Sequence, residues 1–314
     1  MSVWIFGPLW GPAIGPVLGG YLSEAMGWRW SLWLVVILTG AALVPSWFVM
    51  RESYAVVLLQ RKADRLRKET GNSKLRSEFD TELTQGQVIK LAIIRPMKML
   101  LFSPATILMA VYFAFIFGEV YVLLTGLSFV FDRAYGFDPG EIGLTFLGFG
   151  VGSMAGLFVV AAYSDRIMNH LVEANGGQRL PKYRLPFGIL GGVVLPIGLL
   201  WFGWSADQKA HWIVPIIGTA VFGVGGIFSL MTVQTYLVDA FEQYAASAIA
   251  ANMVLRNLVG ALLPLGGRRL FETLGIGWGN SLLAFIGIAL VPFPLMLWKY
   301  GERIRRKTLF GVKI

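Results

Sequence analysis

The sequence predicts an all-α integral membrane bundle of about eight transmembrane helices. Three observations predict it. Hydrophobic residues make up 56% of the 314 and charged residues only 14%, whereas an average soluble domain carries about 25% charged residues. The apolar residues fall in runs of about 20, the length a helix needs to cross a bilayer core. The basic residues lie in short segments between those runs. Despite the formal net charge of +9, that distribution reads as membrane topology and not as a nucleic-acid surface.

The first run, 3–22, contains GPLWGPAIGPVLGG, in which Gly7, Gly11, Gly15 and Gly19 recur every four residues and Pro8, Pro12 and Pro16 each stand one step behind. A phosphate-binding loop is excluded, because a charge-free run must satisfy its backbone internally. Gly19-Gly20-Tyr21-Leu22 also lacks the Lys followed by Ser or Thr that a P-loop needs. Glycines four apart leave a stripe almost free of side chains, which lets another helix approach closely, and the prolines free carbonyls and bend the helix. A second run covers 30–50. Within the loop 51–98, SYAVVLLQRKADRLRKETGN passes from apolar Val56, Val57, Leu58 and Leu59 to basic residues and stops at Gly71, a helix with its C′ glycine. Two readings of it stand: an amphipathic helix on the membrane surface and a solvated linker helix. Six further runs, 99–123, 141–163, 185–205, 212–237, 244–266 and 276–299, complete the bundle, and a basic tail follows at 300–314.

Segments 51–98, 164–184 and 299–314 hold most of the 27 Lys and Arg, while the opposite side has Arg29, Arg133, Lys209, Arg268 and Arg269. The bias places both termini in the cytoplasm. Met1 leads directly into SVWIFGPLWG with no basic region ahead of it, so no signal peptide is expected. Cysteine is absent, and His170 and His211 lie far apart in different loops. Disulfides, thiolate nucleophiles and histidine metal clusters are thereby excluded; no enzyme activity, metal or cofactor is expected.

An ionisable residue inside a span costs several kcal/mol and marks a functional candidate. Glu119, in FIFGEVYVLL, lies within the third run toward its outer part, beside Tyr112 and Tyr121. A carboxyl there suits proton uptake and release; one neutral helix-helix hydrogen bond would account for it equally. Arg256 falls mid-span with Asn252 one turn earlier and Asn257 beside it. It must meet a carboxylate, carbonyls or water. Asp239, a short turn away in sequence, is a conceivable partner, although depth argues against direct contact; an ion network or gate is favoured over substrate contact. Tyr112, Phe115, Gln234, Thr235, Tyr236 and Asn252 are candidates to line an amphipathic cavity for bulky, partly apolar molecules. Trp28, Trp30, Trp204, Trp212, Trp278 and Trp298 read as interfacial anchors.

GPAIGPVLGG resembles the antiporter motif on the fifth helix of the twelve-helix drug:proton antiporters of the major facilitator superfamily. GWRWSLWL at 27–34, RESYAVVLLQRKADRLRKETGN at 51–72, PKYRLP at 181–186, VDAFEQYAASAIAANMVLRNLVGALLPL at 238–265 and WGNSLLAFIGIALVPFPLMLWKYGERIR at 278–305 are similar to the fungal branch of that family. The resemblance implies a bundle made of the last two helices of an N-terminal half, 1–50, a central loop, 51–98, and a complete six-helix C-terminal half, 99–299. It implies an interface-sealing role, against proton leak, for Gly11, Pro12, Gly15, Pro16, Gly19 and Gly20. YSDRIMNHL resembles the C-terminal copy of the family's loop motif, in which Asp165 and Arg166 would latch helix ends, although the leading glycine and several basic residues of that motif are missing. The expected function is proton-coupled efflux of a drug, toxin or secondary metabolite across the plasma membrane, with a small organic substrate, protons and lipid as partners and no nucleic acid. A polyamine or nutrient carrier is the alternative. The counterparts of the first four helices are absent, so a truncated gene model or remnant starting at an internal methionine is expected. A non-transporting fragment, or one that associates with a complete transporter, follows from that expectation.

Overall fold

The computed structural model of the chain describes residues 2–72, 75–77 and 85–306. These residues form helices and turns with no strand among them. Six stretches are long and apolar enough to cross a membrane. The sixth, Ala245–Ile304, holds 60 residues and is broken internally, so it accommodates two of the crossings the sequence predicts. The first predicted run, 3–22, is helical too, although its glycines and prolines dilute its hydropathy.

The chain divides into two compact units. One comprises residues 29–93 and is built on α2 (Trp28–Val49) and α3 (Ala55–Thr70). Helix α2 is mostly apolar, with Arg29 in its first turn, and has no buried residue, which suits a surface in contact with lipid chains. Helix α3 stops where the sequence predicts. Gly71 takes the left-handed conformation at φ 67° and its N–H reaches the Arg67 carbonyl at 3.0 Å. Arg65 pairs with Glu69 at 2.8 Å and Arg67 with Asp64 at 3.2 Å along the polar face. Leu58, Leu59 and Leu66 remain exposed.

The other unit comprises residues up to Trp28 and from Ile94 onward. It contains α1 (Ser2–Met26), the end of α4 (Gln85–Phe102), α5 (Pro104–Tyr135), α6 (Pro139–Ala174), α7 (Pro186–Asp207), α8 (Ile213–Phe241), α9 (Ala245–Leu290) and α10 (Pro292–Arg306). Helix α4 is a departure from the sequence reading, which carried the central loop to 98 and opened the next span at 99. Pro104 disfavours helical geometry at the preceding residue, and Ser103 sits in an extended conformation at φ −99° and ψ 107°. The span therefore starts at Pro104 and runs for 32 residues, which places Glu119 near its middle and not toward its outer part. Gly275, at φ 81° and ψ 169°, breaks α9 into arms 245–274 and 276–290; an L side chain rarely tolerates that conformation. The tail expected at 300–314 is helical as far as Arg306, and the rest of it lies outside the described residues.

Packing in this unit is glycine-led. Helix α6 presents bare backbone on two faces. Gly143 and Gly150 meet Pro16 and Ala13 of α1, while Gly152 and Gly156 meet Ala220 and Val224 of α8. Helices α7 and α8 approach in the same way, Gly198 against Phe222 and Gly225 against Leu195. The first arm of α9 lies on α5 and its second arm lies on α7. Phe131, Phe202, Phe222, Leu127 and Leu195 fill the fully buried core between these layers. Each such side chain contributes about 1.5–3 kcal/mol relative to exposure in water, although in a bilayer the gain comes from close packing.

Candidate functional site

Helices α5 to α8 alternate in direction, so one end of this unit holds the basic segment 164–184 and the other the loop at Gly136. Two cavities open along the α1 and α5 surfaces between these ends. The middle one, about 230 Å³, is walled by aromatic and aliphatic side chains of α1, α5, α6 and α8, among them Pro12, Phe113, Phe117, Tyr121, Phe149 and Ser153. The other, about 760 Å³, lies toward the Gly136 end between α1, α5, α6 and α9, with Gly19, Ser23, Thr125, Asp132 and Arg268 on its walls.

The wall of the middle cavity follows from sequence spacing. Phe113, Phe117 and Tyr121 recur every fourth residue on α5 and form a ladder, with ring centroids 6.0 Å and 5.0 Å apart. Gly260 of α9 lies against Phe117 and Tyr121. One turn earlier, the Arg256 guanidinium stands 4.4 Å above the Phe117 ring and 5.8 Å from that of Phe113, a cation-π arrangement.

The residues singled out on α1 divide. Gly20 meets the Pro139 carbonyl of α6, and Pro16 meets Gly143. Gly11, Gly15 and Gly19 have no neighbouring atom within 4 Å of the position a Cβ would take, so the stripe itself is not the surface that packs on α6. Ala13, buried against Gly150, and Glu24 complete the contact that does. The Glu24 carboxylate accepts the Gly140 N–H at 3.1 Å, satisfying an orphan donor at the α6 N-terminus where negative charge is favoured. Sequence reading missed Glu24; a lone acid closing an apolar run was its only signal.

The expected ion network takes a different form. Asp165 and Asp239 do come together, but through Arg184, which was not among the candidates. Arg184 donates from Nη1 to Asp165 at 2.7 Å and to Ser164 at 3.3 Å, and from Nε to Asp239 at 3.0 Å. A 3-10 turn at Pro181–Arg184 delivers it. Arg166, expected in the latch, instead lies over the Tyr163 ring at 5.7 Å. Arg256 stays in the middle of the bundle and does not meet Asp239, as its depth suggested.

Glu119 is 0% exposed, and neither of its carboxyl oxygens has a hydrogen-bond partner among the described residues. It sits against Gly287 and Pro196, in the seam of α5 with α7 and the second arm of α9, and lines neither cavity. Tyr112 is buried as well, donating to the Gly188 carbonyl at 2.7 Å and sharing a 3.1 Å bond with Ser229; it ties α5 to α7 and α8 and is no cavity wall. Tyr236 is buried in the core, Phe115 packs against that core, and Gln234 is half-buried. Asn252 is 4% exposed, and its Nδ2 has no acceptor among the described residues. None of these lines either cavity; the α5 ladder does.

Comparison with known proteins agrees with the helical architecture. The Major Facilitator Superfamily model matches residues 1–264. The chain is 50% identical over 312 residues to the MFS-type transporter penM of Penicillium rubens, covering 99% of this chain and 61% of that protein. It is 44% identical over 315 residues to the efflux pump radE of Floropilus chiversii, covering 100% of this chain and 59% of that one. It is 46% identical over 314 residues to the MFS transporter cpaT of Aspergillus oryzae, covering 100% and 63%. The chain thus spans about three-fifths of the length of the relatives it matches. Apolar helices of membrane-crossing length, bare-backbone packing, and a family model that extends over most of the residues lead to one conclusion: this integral membrane chain belongs to the major facilitator superfamily.

Proposed function

We propose that the chain forms the greater part of a proton-driven carrier that exports small organic compounds. The observation that carries the reading is the aromatic middle cavity flanked by close-packed, bare-backbone helices, in a chain similar throughout to fungal transporters, one of them named an efflux pump. In this reading 99–299 is one half of the carrier, 1–50 belongs to the other half, and 51–98 connects them. The bias of basic residues supports cytoplasmic termini, with the plasma membrane as the site of action. Alternating access rocks one set of helices against the other about the cavity. Gly11, Pro12, Gly15, Pro16, Gly19 and Gly20 serve the moving interface, and the Gly20 and Pro16 contacts with α6 support this. Arg184, Asp165 and Asp239 act as the latch at the basic end. Glu119 is the protonation site: a carboxyl in mid-span without a partner has reason to be there only if its charge changes. A polyamine carrier is disfavoured, since the middle cavity has no carboxylate on its wall.

The test is accumulation of a fluorescent lipophilic drug in cells expressing the chain, the Glu119→Gln variant or an empty vector. Lower accumulation with the chain, abolished by a protonophore and by the substitution, is the expected result. Equal accumulation in all three, with the protein demonstrably in the membrane, would overturn export by this chain on its own.

A further inference from the structure

Three polar groups lack partners among the described residues, one on the wall of the middle cavity and two on α9, which packs on the α5 wall. Ser153, 1% exposed, is part of the cavity wall, and its Oγ bonds to nothing. Asn252 Nδ2 and Arg256 Nε are buried without an acceptor. Asn252, Arg256 and Gly260 follow one another at four-residue intervals on α9, and Gly260 and Arg256 both contact the ladder side chains of α5. The two donors therefore share the face directed at Phe113, Phe117 and Tyr121. A buried donor without an acceptor forfeits a hydrogen bond it had in water, and a guanidinium forfeits more.

The charge balance gives the missing acceptor its chemistry. Apart from Ser153 and the Tyr121 hydroxyl, the cavity wall is apolar, with no Asp or Glu. Glu119, on the same helix, is turned into the seam against Gly287 and Pro196. Asp165 and Asp239 are already occupied by Arg184, and Asp132 stands on the wall of the other cavity and not of this one. A cation entering this cavity would meet Arg256 and find no counter-charge. An anion would find one.

We propose, building on the exporter reading, that the substrate is an organic anion: an aromatic or otherwise planar apolar body bearing a carboxylate or an ionised enol. The body lies on Phe113, Phe117 and Tyr121, and the acceptor group takes the Arg256 donor at the edge of the ladder, with Ser153 on the cavity wall. Arg256 slides along the Phe117 face to reach it, a movement its long stem permits. Arg256 is then a substrate-recognition residue and not a member of the basic-end latch.

The test is a binding measurement on the full chain in lipid nanodiscs, by equilibrium dialysis with 2-naphthoate and its uncharged counterpart 2-naphthamide, corrected against empty nanodiscs. Naphthoate is expected to bind about tenfold more tightly, the scale of one hydrogen bond to a charged group. Arg256→Gln should abolish that preference, naphthoate falling to the affinity of naphthamide, and Arg256→Lys should keep part of it. Equal affinity of the two probes for the unaltered chain, a preference that survives Arg256→Gln, or loss of both probes in that variant would overturn the proposal. The drug-accumulation assay is separate: export can fail there while the naphthoate preference stands, and the preference can be absent from a working exporter.

Discussion

Two arginines, one at the basic end of the bundle and one in its middle, meet burial in opposite ways. The Arg184 side chain is 12% exposed and has two carboxylates and a hydroxyl within reach. Arg256 has aromatic faces and an Nε with no acceptor among the described residues. The first has its counter-charges built into the fold and acts as a strut joining α6, the 3-10 turn and α8. The second is held by a weak, adaptable contact and can exchange it for a stronger one. A cation becomes a joint or a receptor according to which neighbours the fold supplies.

The largest expected effect tests that contrast directly. Arg184→Gln strands two carboxylates and should cost about 2 kcal/mol, seen as earlier thermal unfolding of the detergent-solubilised chain. Arg256→Gln removes a charge that has no counter-charge and should cost less than about 1 kcal/mol or stabilise. Equal losses would erase the distinction.

A double-mutant cycle sharpens the strut. Arg184→Gln and Asp239→Asn should be non-additive by about 1 kcal/mol, because Asp239, at 32% exposed, is the less solvated of the two carboxylates. Asp165, at 78% exposed, should couple by no more than about 0.5 kcal/mol, as exposed pairs do. Coupling of the same size to both carboxylates would place the cluster's strength elsewhere. Smallest of all is Arg166→Ala, which loses only a ring contact and should shift unfolding by less than about 0.5 kcal/mol; a larger shift would return Arg166 to the latch.

The helices were legible because crossing a bilayer demands long apolar runs whatever lies beside them. Helix α4 was not, because Lys90, Arg95, Pro96 and Lys98 interrupt its apolar residues and make it read as loop. Arg184 escaped for another reason: its partners are 19 and 55 residues distant, and a 3-10 turn leaves no periodic trace. On α1 the spacing revealed a bare stripe but could not say which face would find a neighbour, and Gly20, just outside the stripe, is the glycine that did. The ladder Phe113, Phe117 and Tyr121 was in plain sight at four-residue intervals, yet attention to polar groups led to Tyr112 and Phe115, one of them buried away from the cavity and the other packed on the core.

Helix α6 presents glycine at its closest contacts on both sides, Gly143 and Gly150 toward α1 and Gly152 and Gly156 toward α8. Side chains act as springs, changing rotamer to absorb a shift between helices. With none on α6 itself at these four points, the helix acts there as a shim of fixed thickness. A displacement of α1 finds little to absorb it at those points; it passes on to α8 or occurs as a slip of one backbone past another, in discrete steps.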